Sequence, residues 1–266
     1  MIKHIFSDLD GTLLNESGQI TQETEQTIKD KGIPFTLVSA RTPKDMAPIV
    51  SKLGLESPQV AFNGGLIYLP KKDGHEIVSE HYLQWDLAEK MITLIQTYYP
   101  HLGFSFYDDA NWYTCSLDEG IKIEASIGSQ TPQLVDRNEF FKRKPVKIFK
   151  IMLWIFDEIE MIRVAEFLNS LEIKELSIVQ SSKFTLEITD YEAQKSRGID
   201  FILDHYQLKK EEVAAFGDGH NDIPMLKKVG HPVVMENASD EVKAHGKYVT
   251  KRNTENGVSY GMNTFF

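Results

Sequence analysis

Apolar residues in this chain gather in short unbroken runs, each stopping at a polar or glycine-rich break ahead of a stretch with helical spacing. Residues 2–7 make one such run and stop at Asp8; residues 35–38 stop at Ser39; residues 213–216 stop at Gly217-Asp218. Unbroken runs of this length, rather than alternating ones, predict strands of a parallel sheet covered on both faces. The intervening helices have readable ends. Thr42 is placed to cap a helix that opens with Pro43 and closes at Gly54. Asn221 or Asp222 opens another that closes at Gly230, and Ser239 opens a third that closes near Gly246. The predicted class is α/β, built on a doubly wound parallel sheet. In such sheets ligands bind beyond the carboxyl ends of the strands, and each of the three breaks falls at a carboxyl end.

The middle of the chain has another rhythm. Strand-like pieces at 103–107, 146–155 and 184–188 mix with amphipathic helical stretches at 86–98 and 158–169, the first carrying Leu87, Met91, Ile92 and Ile95 on one face. This predicts an α+β domain, residues 84–187, inserted between the two parts of the α/β core, 1–83 and 188–266.

Composition narrows the functional classes. With 29 basic against 39 acidic residues, a net charge of −10 and no dense lysine or arginine stripe, nucleic acid is not an expected partner. The cluster Lys142-Arg143-Lys144 reads as a solvated loop before Pro145. Residues 1–4 lead straight into the first apolar run, with no room for a signal peptide, and the most apolar stretch, 151–156, is far short of a bilayer span. The expectation is a soluble cytoplasmic protein without a membrane partner. A single cysteine, Cys115, rules out an internal disulfide and reads as a packed rather than a reactive thiol. Oligomeric state leaves no mark in the pattern.

The candidate chemistry lies at the strand ends. In Asp8-Leu9-Asp10-Gly11-Thr12 two carboxylates two residues apart precede a glycine that lets the chain turn sharply. An EF-hand is disfavoured because Thr12 stands where that loop needs a further acid or asparagine, and Leu13-Leu14 follow. Gly217-Asp218-Gly219-His220-Asn221-Asp222 supplies two further carboxylates after another predicted strand, and its His220 reads as a loop residue. If the clusters meet, Asp8, Asp10, Asp218 and Asp222 would repel an incoming phosphate. A hard divalent cation held by oxygen ligands resolves this, which favours Mg²⁺. Lys195, just ahead of a helical run at 196–206, is a candidate for one more positive charge, and Ser39 for a hydroxyl and backbone N–H.

These residues together resemble the ordered motifs of the haloacid dehalogenase-like hydrolase superfamily, and most closely its Cof-type sugar-phosphatase branch with a large cap. Asn63-Gly64-Gly65, the stretch 237–243, Tyr248-Val249-Thr250 and Asn256-Gly257-Val258 extend the likeness over nearly the whole chain. Ser39-Ala40-Arg41 departs from it, since relatives commonly carry Thr-Gly-Arg; alanine in place of glycine puts the phosphate-loop geometry in question.

The resemblance implies a Rossmann-like core and a Mg²⁺-dependent phosphatase acting on small phosphorylated metabolites. Asp8 would be the nucleophile that becomes an aspartyl-phosphate, and Asp10 the general acid and base. Mg²⁺ would be held by Asp8, the Asp10 carbonyl and Asp218, with Asp222 ligating or orienting waters. Leu9, Ser39, Ala40, Lys195 and Asn221 would contact the phosphate. The insert would be the cap that sets specificity, with Tyr107, Trp112, Tyr113 and Trp154 as candidates to line it. A phosphomutase or phosphotransferase uses the same pair of aspartates, and a non-catalytic sugar-phosphate sensor shares the scaffold. The sensor is disfavoured because no motif carboxylate is missing. A kinase is disfavoured because no Gly-x-x-x-x-Gly-Lys-Ser/Thr loop is present.

Overall fold

The computed structural model describes residues 1–128 and 130–266. It divides into two units: 1–41, 46–79 and 194–266 in one, 42–45 and 80–193 in the other.

The first unit is built on a five-stranded sheet. Its spatial order is Tyr248–Val249, His231–Val234, Val213–Gly217, His4–Ser7 and Phe35–Leu37, and every adjacent pair is parallel. The apolar run at the start of the chain became the strand His4–Ser7, buried at all four positions and paired on both sides, as an unbroken run requires. Helix Gln22–Lys31 starts at Thr21, whose side chain accepts the Thr24 N–H, and ends at Gly32 with φ 57°. Helix Pro43–Leu53 starts where Thr42 accepts the Asp45 N–H at 3.1 Å. It stops before Gly54, which has φ 65°. The helix expected after Asp222 is shorter than the pattern suggested: Ile223–Leu226 forms one turn, and turns carry the chain on to Gly230. Ser239 caps Asp240–Lys243.

The second unit carries a six-stranded sheet in the order Leu176–Gln180, Thr185–Asp190, Lys150–Trp154, Gly103–Tyr107, Trp112–Thr114 and Gln133–Leu134. Its pairs are antiparallel except the last. Side chains alternate across it. Phe104, Phe106, Ile151, Leu153, Leu186 and Ile188 join Met91, Ile92 and Ile95 of helix Trp85–Tyr98, and Met161, Val164 and Leu168 of helix Glu158–Ser170, in one apolar core. The intervening positions Ser105, Tyr107, Lys150 and Glu187 belong to the opposite face. Lys142, Arg143 and Lys144 are exposed, with the Arg143 guanidinium 3.7 Å from the centre of the Phe140 ring. Cys115 packs against the apolar core, and burial pushes its thiol up to about 11, which makes it a poor nucleophile. No helix among the described residues is long and apolar enough to cross a membrane.

Candidate active site

Asp8 follows the strand His4–Ser7 directly and continues its ladder by one bond, donating its N–H to the Phe216 carbonyl at 3.0 Å. That bond brings Asp8 beside the carboxyl end of Val213–Gly217, where the chain turns into Asp218. Two segments more than two hundred residues apart thus meet because their strands are neighbours. Asp8 is 7% exposed. One oxygen each of Asp8, Asp218 and Asp222 lie within 4.8 Å of one another.

Lys195 opens the helix Lys195–Tyr206 and reaches into this cluster, donating from Nζ to Asp8 Oδ1 at 2.6 Å and to Asp222 Oδ1 at 2.7 Å. The other Asp222 oxygen accepts the backbone N–H groups of Asp218 and Gly219, each at 2.9 Å. Asp222 is wholly buried, and these three hydrogen bonds let it organise the turn and anchor the lysine. Asp218 accepts from the Thr12 hydroxyl at 2.6 Å and from Asn237 Nδ2 at 3.3 Å. Gly11 has φ 81°, and a Cβ there would overlap the Asp218 carboxylate, so the close approach of the two loops depends on glycine.

The electrostatics follow from burial. Burial raises Asp8 well above the usual carboxylate range, and Asp222 and Asp218 add to the rise against the pull of Lys195. Burial likewise brings Asp218 up to about 6. Lys195, which burial alone would lower, is carried upward by Asp222 and Asp8 and stays an ammonium. With all three acids ionised, one ammonium faces three carboxylates, and two negative charges remain uncompensated. Donors that are all oxygen, carrying that residual charge, suit a hard divalent cation.

Asp10 occupies a different environment. Its side chain is 59% exposed, and Arg41 grips both of its oxygens, Nε to Oδ2 at 2.8 Å and Nη2 to Oδ1 at 2.5 Å. Ser39 is buried at the end of Phe35–Leu37, and its hydroxyl accepts the Arg41 N–H at 3.1 Å. Ala40 has no positive φ, so the backbone there does not demand the glycine of the commoner motif. The Leu9 side chain is fully buried, whereas Asn221 is exposed on the turn after Gly219. Among the described residues neither Ser39 nor Asn221 hydrogen-bonds Asp8. His220 pairs with Glu241 at 3.0 Å on the surface. Thr12, Arg41 and Asn237 were given no role in the sequence reading; all three lie inside the motif stretches, which is the signal that marks them.

The second unit has a polar constellation of its own. Glu124 accepts the Tyr107 hydroxyl and, at 3.0 Å, the Trp154 Nε1–H. Lys150 pairs with Glu187 at 3.3 Å and lies 5.0 Å from the centre of the Tyr107 ring. Trp112 stacks parallel to Tyr107, is 2% exposed, and its Nε1–H has no hydrogen-bond partner among the described residues. Tyr113 instead lies in the apolar core.

Comparison with known proteins agrees with the geometry. A family model described as haloacid dehalogenase-like hydrolase matches residues 5–262. The Bacillus subtilis 5-amino-6-(5-phospho-D-ribitylamino)uracil phosphatase YwtE is 28% identical, over 97% of this chain and 96% of its own. A solved haloacid dehalogenase-like hydrolase from Bacteroides thetaiotaomicron superposes with TM-score 0.89 at 27% identity, covering 100% of both chains. The solved subclass IIB sugar phosphatase BT4131 gives 0.81 at 25% identity, covering 99% of this chain and 98% of that one. The chain is a phosphatase belonging to the haloacid dehalogenase-like hydrolase family.

Proposed function

We propose that this phosphatase depends on Mg²⁺ and releases phosphate from small phosphorylated metabolites, sugar phosphates or phosphorylated cofactors, through an aspartyl-phosphate on Asp8. The observation that carries this reading is the charge imbalance at Asp8, Asp218, Asp222 and Lys195, held in place by buried hydrogen bonds. Asp8, the Asp10 carbonyl and Asp218 would hold the cation, with Asp222 orienting its waters. When bound, the ion offsets the surplus negative charge and lets a phosphate dianion approach.

The two aspartates of the first motif divide the work because their surroundings differ. Asp8 is buried against Lys195 and would act there as the nucleophile toward phosphorus. Asp10, whose two oxygens are held by Arg41, would give a proton to the leaving oxygen and later take one from the attacking water. Lys195 spends two of its three N–H bonds on carboxylates, and its fixed charge faces the phosphoryl oxygens as the Asp8–phosphorus bond forms. The backbone of Leu9 and Ala40, the Ser39 hydroxyl and Asn221 complete the phosphate contacts. Residues 84–187 act as the cap that selects the organic group, through the sheet face bearing Tyr107, Trp112, Lys150, Trp154 and Glu187.

A screen of phosphorylated metabolites with Mg²⁺, scored by inorganic phosphate, tests the reading. The Asp8→Asn variant should remain folded and lose turnover by about 10⁴-fold or more. Release of phosphate by that variant at a tenth of the native rate would remove Asp8 as nucleophile.

A further inference from the structure

The loop carrying Gly11 and the loop carrying Asp218 are also tied together by a side chain from a third strand end. Asn237 lies three residues beyond the strand His231–Val234. Its Nδ2 donates to the Gly11 carbonyl at 2.9 Å and to Asp218 Oδ2 at 3.3 Å. Its Oδ1 accepts the Asn253 N–H at 3.1 Å, and Asn253 Nδ2 in turn donates to the Leu14 carbonyl at 2.8 Å. Asn253 follows the edge strand Tyr248–Val249. The chain of bonds therefore runs from the loop after His4–Ser7, through the ends of the last two strands, to the Asp218 carboxylate.

We propose that Asn237, steadied by Asn253, is a positioning residue that fixes the Asp218 carboxylate and thereby sets the affinity of the site for its divalent cation. Both ends of the amide are in use and chemically distinct, a donor toward Asp218 and an acceptor toward the Asn253 N–H, so its orientation is determined. Thr12 holds the other Asp218 oxygen at 2.6 Å, and the two contacts together leave the carboxylate little freedom to rotate. Outer groups that orient a ligand in this way change metal affinity by about 10–100-fold when removed. The stretch beginning at Asn237 thus has a task beyond closing the sheet: it determines how well the end of the neighbouring strand binds its ion. This inference rests on the reading of Asp218 as a cation ligand.

The test is isothermal titration calorimetry of the full-length protein with MgCl₂ alone, no substrate present, for the native chain and for Asn237→Ala. The expected result is a dissociation constant about tenfold higher in the variant. The Mg²⁺-induced rise in Tm at a fixed sub-saturating concentration should be smaller, and the KM for a phosphate ester at saturating Mg²⁺ should stay within about twofold of native. A purely structural role would lower Tm equally with and without Mg²⁺ and leave the dissociation constant within about twofold of native; that result overturns the proposal. If Asn237→Ala fails to fold, Asn237→Ser, which stays polar but is too short to reach Asp218, is judged by the same criterion. A native protein that binds no Mg²⁺ would overturn the proposed cation site and this inference together. Native binding with undiminished binding by the variant would overturn this inference alone.

Discussion

Replacing Lys195 by methionine keeps the length and unbranched shape of the side chain while removing its charge. In the native protein Nζ lies 2.6 Å from Asp8 and 2.7 Å from Asp222, with the lysine side chain 1% exposed. Without it, the buried carboxylates of Asp8 and Asp222 and the partly buried one of Asp218 face one another with no cation. Breaking a buried pair by deleting one partner costs about 3–5 kcal/mol. At about 2–4 °C per kcal/mol for a chain near this size, the transition of the catalytic unit should fall by roughly 6–20 °C in chelator. Mg²⁺ supplies positive charge to the same carboxylates, so adding it should recover part of the difference and stabilise the variant more than the native protein. Turnover should also suffer, because a preorganised donor lost from a developing negative charge costs about 10²–10³ in kcat. Thermal scans with and without Mg²⁺, paired with a phosphate-release assay, measure both quantities. A Tm within about 2 °C of native, or activity within tenfold, would refute the charge argument.

Other outcomes follow from the same geometry. Gly11→Ala forces a side chain onto a φ of 81° and against the Asp218 carboxylate, and should cost at least about 1–2 kcal/mol and weaken Mg²⁺ binding in a calorimetric titration. Asp218 is raised from 3.8 to about 6 by burial, so the metal-free fold holds that proton more tightly than the unfolded chain does. Its contribution to stability is therefore greatest below the unfolded value and is lost as pH rises through about 6. Mg²⁺ requires the ionised acid, so the Tm gain from Mg²⁺ should grow across the same interval, and a gain independent of pH would contradict the assignment. Lys150→Met, which leaves Glu187 without its partner at 3.3 Å, should raise KM by about tenfold for some phosphorylated metabolites and not others. A uniform change across the panel would argue against the selective face.

The strands and the residues at their ends were legible because each depends on local pattern. The strand His4–Ser7 is buried at all four positions because it is covered on both faces, and Asp8 stands directly at its end. The additional sheet showed itself by a change of period. Arg41 is less legible: a single arginine reads as a surface charge until its Nε and Nη2 are seen to donate to the two oxygens of Asp10. The helix after Asp222 is shorter than its pattern suggests because the apolar spacing runs on to Gly230 while the backbone leaves the helix after one turn. The doubt over Ala40 disappears with its ordinary backbone conformation, a quantity no residue pattern reports.

By itself the sequence determined which residue types stand at the ends of which strands, because burial and turning are written into each segment's own composition. Only the tertiary structure decided that Asp8, Asp218, Asp222 and Lys195 share one buried volume, and that Asn237 reaches two loops at once. The physical reason is that strand order in a parallel sheet is settled by packing between distant segments. Charge repulsion, hydrogen-bond geometry and burial come to act among these side chains only once that packing has brought them together.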